Sequence, residues 1–582
     1  MERWDQFGAH WGIEPGYYDV QGRRRDADPD VLRRVVEMLS RPGNPPAGDL
    51  DRGQTPQQAF QGDGRRTWVL AVQLYGVRSR RNLGHGDFTD LAELLELVAD
   101  LGCGGIGLNP LHALFYDGGG SPYSPSSRLF LNPLYLDVEA VEEFSAHDMA
   151  AHAADIERLR NAALVDYPAV AQFKLVLLRA TYRNFTAGGS AARRADFESY
   201  RQLQGRALEA FAVFETLRGL HSGGWWDWPA EARQASDVLL RDVRNSHADE
   251  VGFHEFLQWN AERQLGRCRD VANRRGMPIG LYLDTAVGVN PGGADAWMDQ
   301  NAMLTGLSVG APPDQFNPAG QDWGLTAYNP HGLIARNFEP FGQMLAASMR
   351  HAGAVRIDHV LGLMRLFIVP QGFGAAQGVY LRMPFSAMLS AVAEQSRHWN
   401  CVVIGEDLGT VPEGFRGTMH AWGLWSYLVM MFERNWDGDG SFRKPEQYPV
   451  NAIATFSTHD LATFSGWMSG HDLALKRSIG VDPGESDDDR ERSRAALQAA
   501  LGRERPSFED AVGYLAATPT RLVSIGIEDV LEIPDQANVP GTVEQHPNWR
   551  RRWPVLLEDL RNDQRLARIA ETLSRAGRGS RS

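Results

Sequence analysis

Three short segments place acidic side chains beside groups that could tune them. They are Val355-Arg356-Ile357-Asp358-His359, Ile404-Gly405-Glu406-Asp407-Leu408-Gly409 and Ser457-Thr458-His459-Asp460, and each closes a short apolar run. A lone aspartate in such a place is an ordinary helix cap or loop ion pair. Three carboxylates at corresponding places, with an arginine and a histidine beside them, suit retaining glycoside chemistry. One carboxylate attacks the anomeric carbon. A second gives a proton to the leaving oxygen and later takes one from the acceptor. The two need different protonation states at one pH, which burial, a neighbouring carboxylate and a nearby arginine can provide. Arg356 stands two residues before Asp358, so in a strand both side chains project from the same face.

Such residues need elements that aim them at one point. Eight β-rich apolar segments recur after residue 65: Trp68–Leu74, Gly104–Leu108, Ile279–Asp284, Ala354–Asp358, Cys401–Glu406, Trp425–Phe432, Ala452–Ser457 and Arg521–Ile527. Several are continuous apolar runs, as expected of parallel strands buried on both faces. Helical patterns such as Phe88–Leu101 and Pro384–Trp399 lie between them. The expectation is an α/β (β/α)8 TIM barrel with chemistry at the C-terminal ends of its strands. Two gaps exceed a simple crossover, and residues 109–278 and 285–353 are expected as large, mostly helical insertions around that face. Helices are expected over Asp155–Leu164, Phe173–Phe185 and Phe253–Arg275.

Residues 1–64 read as a short helical N-terminal extension plus linker, and 65–582 as the catalytic barrel. Asp28-Pro29 is an N-cap followed by proline at the first helical position, ahead of Val31, Leu32, Val35, Val36 and Leu39. Pro42 to Gly64 is rich in Gly, Pro, Asp and Gln and reads as linker. The acidic run Asp487–Asp489 is expected to open a solvated helix, and the Arg-rich tail Arg575–Ser582 to be frayed.

The 582 residues carry a net charge of −14, which disfavours nucleic acid or an anionic membrane as partner. The three cysteines, Cys103, Cys268 and Cys401, fit neither a disulfide framework nor a zinc site. No signal-peptide pattern opens the chain and no apolar stretch reaches membrane-spanning length. A cytoplasmic monomer or homodimer, without metal or cofactor, is the expectation.

The strand-end segments, taken in order, resemble those of the amylomaltases, the 4-α-glucanotransferases of glycoside hydrolase family 77. The motifs are Arg-Ile-Asp-His, Gly-Glu-Asp-Leu-Gly and Thr-His-Asp-x-x-Thr, the last completed by Thr463. The resemblance runs from about Tyr75 to the C-terminal region. It implies Asp358 as nucleophile, Glu406 as acid/base and Asp460 as the carboxylate that grips and distorts the sugar, with Arg356 and His459 in support. Ser121-Pro122-Tyr123 resembles a tyrosine-bearing loop beside the reactive sugar. Asp284 resembles a further active-site aspartate. Gln321-Asp322-Trp323-Gly324 is similar to a mobile loop whose Trp covers the glucan, and Asn538 to a late-loop residue near the donor sugar. Trp225-Trp226-Asp227-Trp228 also matches, and is read as rim packing. The implied activity is disproportionation of α-1,4-glucans, with maltooligosaccharides as donors and acceptors.

The departure is N-terminal: the longer members of that family place a β-rich domain between lead-in helix and barrel, and here only about 25 linker-like residues stand there. Three alternatives are weighed. An α-1,4-glucan hydrolase would use the same site. A metal-dependent barrel hydrolase generally needs a His pair after the first strand, where Gln73-Leu74-Tyr75 stands. A non-catalytic glycan-binding relative would not need all three carboxylates.

Overall fold

The computed structural model describes residues 8–19, 22–40, 50–116, 120–150, 152–313, 319–409 and 411–579. Eight parallel strands close a barrel in sequence order: β1 Thr67–Val72, β2 Gly105–Leu108, β3 Gly280–Thr285, β4 Ala354–Ile357, β5 Val402–Gly405, β6 Trp425–Val429, β7 Ala452–Thr455 and β8 Leu522–Gly526. Each lies within three residues at either end of an apolar run seen in the sequence. Nearly every strand residue is buried, which is why the runs lack alternation. Val69, Tyr282, Ala354, Ile404, Trp425, Tyr427 and Ile453 fill the barrel interior.

Local signals set the flanking helices. Phe88–Asp100 starts at a capping box between Asp87 and Asp90. Pro29–Leu39 starts at Asp28, whose side chain accepts from Asp30 N–H, and buries Val31, Leu32, Val35, Val36 and Leu39. Asp487–Leu501 follows a Ser486 cap, as the acidic run suggests.

The first insertion is helical: Ala153–Asn161, Tyr167–Gly188, Ala191–Leu220, Asp237–Ser246 and Ala248–Arg274. Ala191–Leu220 bends at Gly205, where φ is +52°. The second differs from expectation. It contributes Leu307–Ala311 and Gln321–Leu325 to a four-stranded antiparallel sheet completed by Arg365–Pro370 and Val379–Arg382, beyond β4. The N-terminal segment joins the edge of this sheet: Glu14 N–H donates to Tyr380 O and Arg382 N–H to Gly12 O, both at 2.8 Å.

Two further expectations are corrected. The described part of the linker is held against the base of the barrel. Gln61 Nε2 donates to Gly423 O at 2.7 Å, while Gln61 Oε1 accepts from Trp425 Nε1 and Asn451 Nδ2, each at 3.2 Å. Phe60 packs on the barrel interior. Gly, Pro and Gln residues predict irregular backbone correctly, but irregular backbone can still be fixed by tertiary bonds. The tail is not frayed at Arg578, which is fully buried and donates to Ala516 O at 2.9 Å and Thr518 O at 2.7 Å. The rest of the tail, from 580 on, lies outside the described residues. No helix among the described residues is long and apolar enough to cross a membrane.

Candidate active site

The barrel register brings the charged strand ends together. Arg356 on β4 lies directly opposite Asp284 on β3, and Ile357 pairs with Gly405, one residue before Glu406. Arg356 is 8% exposed and Asp284 7% exposed, so these charges must satisfy one another. Arg356 Nη1 donates to both Asp284 oxygens, at 2.9 and 2.8 Å. Its Nη2 lies 2.9 Å from Asp358 Oδ1 and 3.9 Å from Glu406 Oε2. One guanidinium therefore spans three carboxylates, which suits its fixed fork of donors.

Asp358 Oδ1 and Glu406 Oε2 can be no further apart than those two distances combined, a close approach compatible with the about 5–5.5 Å between carboxyl groups of retaining pairs. Glu406 is positioned by two backbone donors, His359 N–H to Oε2 and Leu408 N–H to Oε1, each at 2.9 Å. His359 reaches it from a left-handed conformation, φ +46° and ψ +59°.

The opposite wall continues the chain of bonds. Tyr123 OH donates to Asp284 Oδ2 at 2.6 Å and lies 3.4 Å from His459 Nδ1. The two rings stack with centroids 4.9 Å apart. His459 Nε2 is 3.2 Å from Asp460 Oδ2, and Asn538 Nδ2 donates to Asp460 Oδ1 at 2.6 Å. An unbroken polar sequence thus runs from Asn538 through Asp460, His459, Tyr123, Asp284 and Arg356 to Asp358.

Charge follows from this packing. Burial pushes Asp358 up to about 7, against the pull of Arg356 and with Asp284 and Glu406 adding to the rise. Burial would depress His459, but Asp460 outweighs it and raises the imidazole above its usual value. Asp460 is held below the usual carboxylate range: burial opposes this, and His459 and Asn538 overcome it. Burial and Asp284 keep Tyr123 protonated far above the normal phenol range. Tyr123, Asp284, Arg356 and His459 line a cleft of about 770 Å³. Asp358 and His359 border an adjoining hollow of about 480 Å³.

Nine of the eleven residues singled out in the sequence meet here. Eight form the polar chain and the Glu406 contacts. The ninth, Trp323, sets its ring edge against His359, centroids 5.2 Å apart at 83°. Trp323 stands on a strand rather than a free loop. Ser121 and Gln321 bond within their own segments: Ser121 Oγ accepts from Tyr123 N–H at 3.3 Å, and Gln321 Oε1 from Trp323 Nε1 at 3.3 Å.

Sequence reasoning missed three supports. Tyr427 lies under Arg356, 5.5 Å from guanidinium to ring centre. It shares parity with Trp425 and Val429 along β6, a period-2 signal that could have flagged it. Gln536 Nε2 donates to the backbone oxygens of Asp460 and Asn538, at 3.2 and 2.6 Å. Trp549 packs against Tyr123 and His459, at 5.4 and 5.3 Å. It lies in an irregular loop and gave no signal. No group of three or more His, Cys, Asp or Glu side chains suited to a metal ion occurs among the described residues.

A closed parallel barrel with clustered carboxylates at its C-terminal strand ends defines a barrel enzyme of the glycoside-processing class. Residues 72–558 match glycoside hydrolase family 77, described as 4-alpha-glucanotransferase, and the chain belongs to that family. The 4-alpha-glucanotransferase of Mycobacterium tuberculosis is 37% identical over 552 residues, covering 88% of this chain and 75% of the relative. That of Haemophilus influenzae is 35% identical over 540 residues, covering 85% and 77%. The amylomaltase structure from Corynebacterium glutamicum superposes with a TM-score of 0.84 at 25% identity, covering 98% of this chain and 100% of that one. The family assignment supports glucanotransferase over hydrolase.

Proposed function

We propose that the protein disproportionates α-1,4-glucans through a covalent glycosyl-enzyme, with maltooligosaccharides as donors and acceptors, and that it works in the cytoplasm. Asp358 attacks the anomeric carbon. The bond from that carbon to the leaving 4-oxygen breaks, and Glu406 gives its proton to that oxygen. The 4-hydroxyl of a second glucan then gives its proton to Glu406, attacks the anomeric carbon and breaks the ester to Asp358. Asp460 and His459 grip the reacting sugar. Asn538 and Tyr123 keep that pair aimed. Arg356 and Asp284 fix the nucleophile, and Trp323 covers the glucan.

The observation that carries this reading is Arg356 spanning Asp284, Asp358 and Glu406. It stands 2.9 Å from Asp358 and 3.9 Å from Glu406, so it favours negative charge on Asp358. The two N–H donors hold the Glu406 carboxyl in a fixed place beside it. Positive charge developing at the anomeric carbon is met by Asp358, and Glu406 delivers its proton to the leaving oxygen.

Transfer needs a sugar hydroxyl to outcompete water. An acceptor held in place by the insertions around the cleft has a large effective concentration. The test is incubation with maltotriose. Glucose plus maltodextrins longer than the substrate is the expected result; glucose and maltose alone overturn the transfer reading.

A further inference from the structure

The turn Trp225–Asp227 and the next residue place three indoles in four positions, and they meet different fates. Trp228 is 2% exposed and packs on Phe214 and Trp297. Trp226 is 48% exposed. Burial of Trp228 shows that this region has room for an indole in its core, so the exposure of Trp226 is a property of the turn.

The exposed ring is held by construction. Trp225 Nε1 donates to Pro291 O at 2.9 Å, and the Trp225 and Trp226 rings meet edge to face, centroids 5.4 Å apart. A Cβ on Gly224 would come within 2.4 Å of the Trp226 ring, so only glycine leaves the indole this seat. Gly292 lies near the ring as well, where a Cβ would be in ordinary contact at 3.5 Å.

The position is tied to the loop that carries Tyr123. Pro291 and Gly292 belong to the segment leaving β3 just after Asp284. Asn290 N–H donates to Pro125 O at 2.8 Å, two residues from Tyr123. By chain reach, Trp226 stands at most about 25 Å from Tyr123. A flat, half-exposed indole held in this way matches the apolar C–H face of a pyranose ring, while the indole edge stays wet.

We infer that Trp226, backed by Trp225, is a stacking platform for an α-1,4-glucan arm that runs out of the cleft past the Tyr123 loop, and that it sets the preference for long over short glucans. The inference rests on the glucan reading above. It is tested by measuring kcat/KM for transfer on maltotriose and on maltoheptaose with the native protein, Trp226→Ala and Trp226→Phe. The long-to-short ratio should fall about three- to tenfold in Trp226→Ala and largely return in Trp226→Phe, which keeps a stacking face. An unchanged ratio overturns the platform, and so does an equal loss on both substrates, which marks a structural role. Native-gel retardation by amylose gives a second readout in an Asp358→Asn background, where Trp226→Ala should weaken retardation. Native protein that transfers on neither substrate overturns the glucan reading itself, a result distinct from an unchanged ratio.

Discussion

The backbone N–H of His359 lies 2.9 Å from Glu406 Oε2, so the residue after the proposed nucleophile holds the proposed acid/base. It does so at φ +46°, a region that side chains with a Cβ enter at a cost. Strain of this kind persists where surrounding structure over-determines it. His359→Gly and His359→Ala both remove the ring and its contact with Trp323, and differ only in backbone cost. The glycine variant should be the more stable by about 1 kcal/mol, read by urea unfolding. It should also retain the higher transfer rate, because Glu406 keeps its donor.

Asp358→Asn and Glu406→Gln should separate the two chemical roles. Asp358→Asn should lower kcat on maltotriose by about a thousandfold or more, with unfolding unchanged. Glu406→Gln should be comparably impaired on maltotriose, yet form the glycosyl-enzyme from α-glucosyl fluoride, whose leaving group needs no proton. Mass spectrometry of the trapped adduct checks this. An adduct on Asp358→Asn would remove Asp358 from the nucleophile role.

The pH profile follows from the burial of Asp358. With Asp358 raised to about 7 by burial, the proposed nucleophile gains its charge as pH rises through that region. Transfer on maltotriose should therefore rise as pH rises towards about 7, and Glu406→Gln, which removes a charge that adds to the rise of Asp358, should move that limb to lower pH with α-glucosyl fluoride as donor. Stability carries the opposite sign. Burial also raises Glu528 and Asp529 to about 7. The folded state then binds more protons than the unfolded chain between about pH 4 and pH 7, so stability falls as pH rises through that window. Asp529 Oδ1 accepts from Phe464 N–H at 2.6 Å, a bond the isosteric Asn can also accept. Asp529→Asn should flatten the decline, measured as melting temperature at pH 5 and pH 8.

The bond from Asn538 to Asp460 gives a fourth expectation. Asn538→Ala removes one donor and leaves Asp460 paired with His459. Asn538→Asp sets a second carboxylate against Asp460 across a gap of about 2.6 Å. Like charges so placed drive one of them to protonate. Asn538→Asp should therefore cost more activity at pH 7 than Asn538→Ala, and recover part of it at lower pH.

The barrel was legible because its chemistry and its architecture share a signal. Parallel strands buried on both faces read as apolar runs, and Asp284, Asp358 and Glu406 stand where β3, β4 and β5 run out. Arg356 could be placed beside Asp358 by alternation alone. The antiparallel sheet was not legible, because its short strands are joined by pairings that skip β4. Gln61 and Arg578 look like loop and tail residues locally, and only distant carbonyls give them their roles. Trp549 gains its place from Tyr123 and His459, ninety or more residues away in either case. Such contacts leave no trace in local periodicity.

That antiparallel sheet also gives Trp323 its seat. Its strands lie in the order Val379–Arg382, Arg365–Pro370, Leu307–Ala311, Gln321–Leu325. The first edge is tied to the N-terminal segment through Glu14 and Gly12, and the last carries Trp323 against His359. Four strands abreast span about 14 Å. Trp323 is thereby seated on a paired strand rather than on a swinging loop. Under the proposed function, the gauge of chain admitted beneath it would then be a built dimension of the fold.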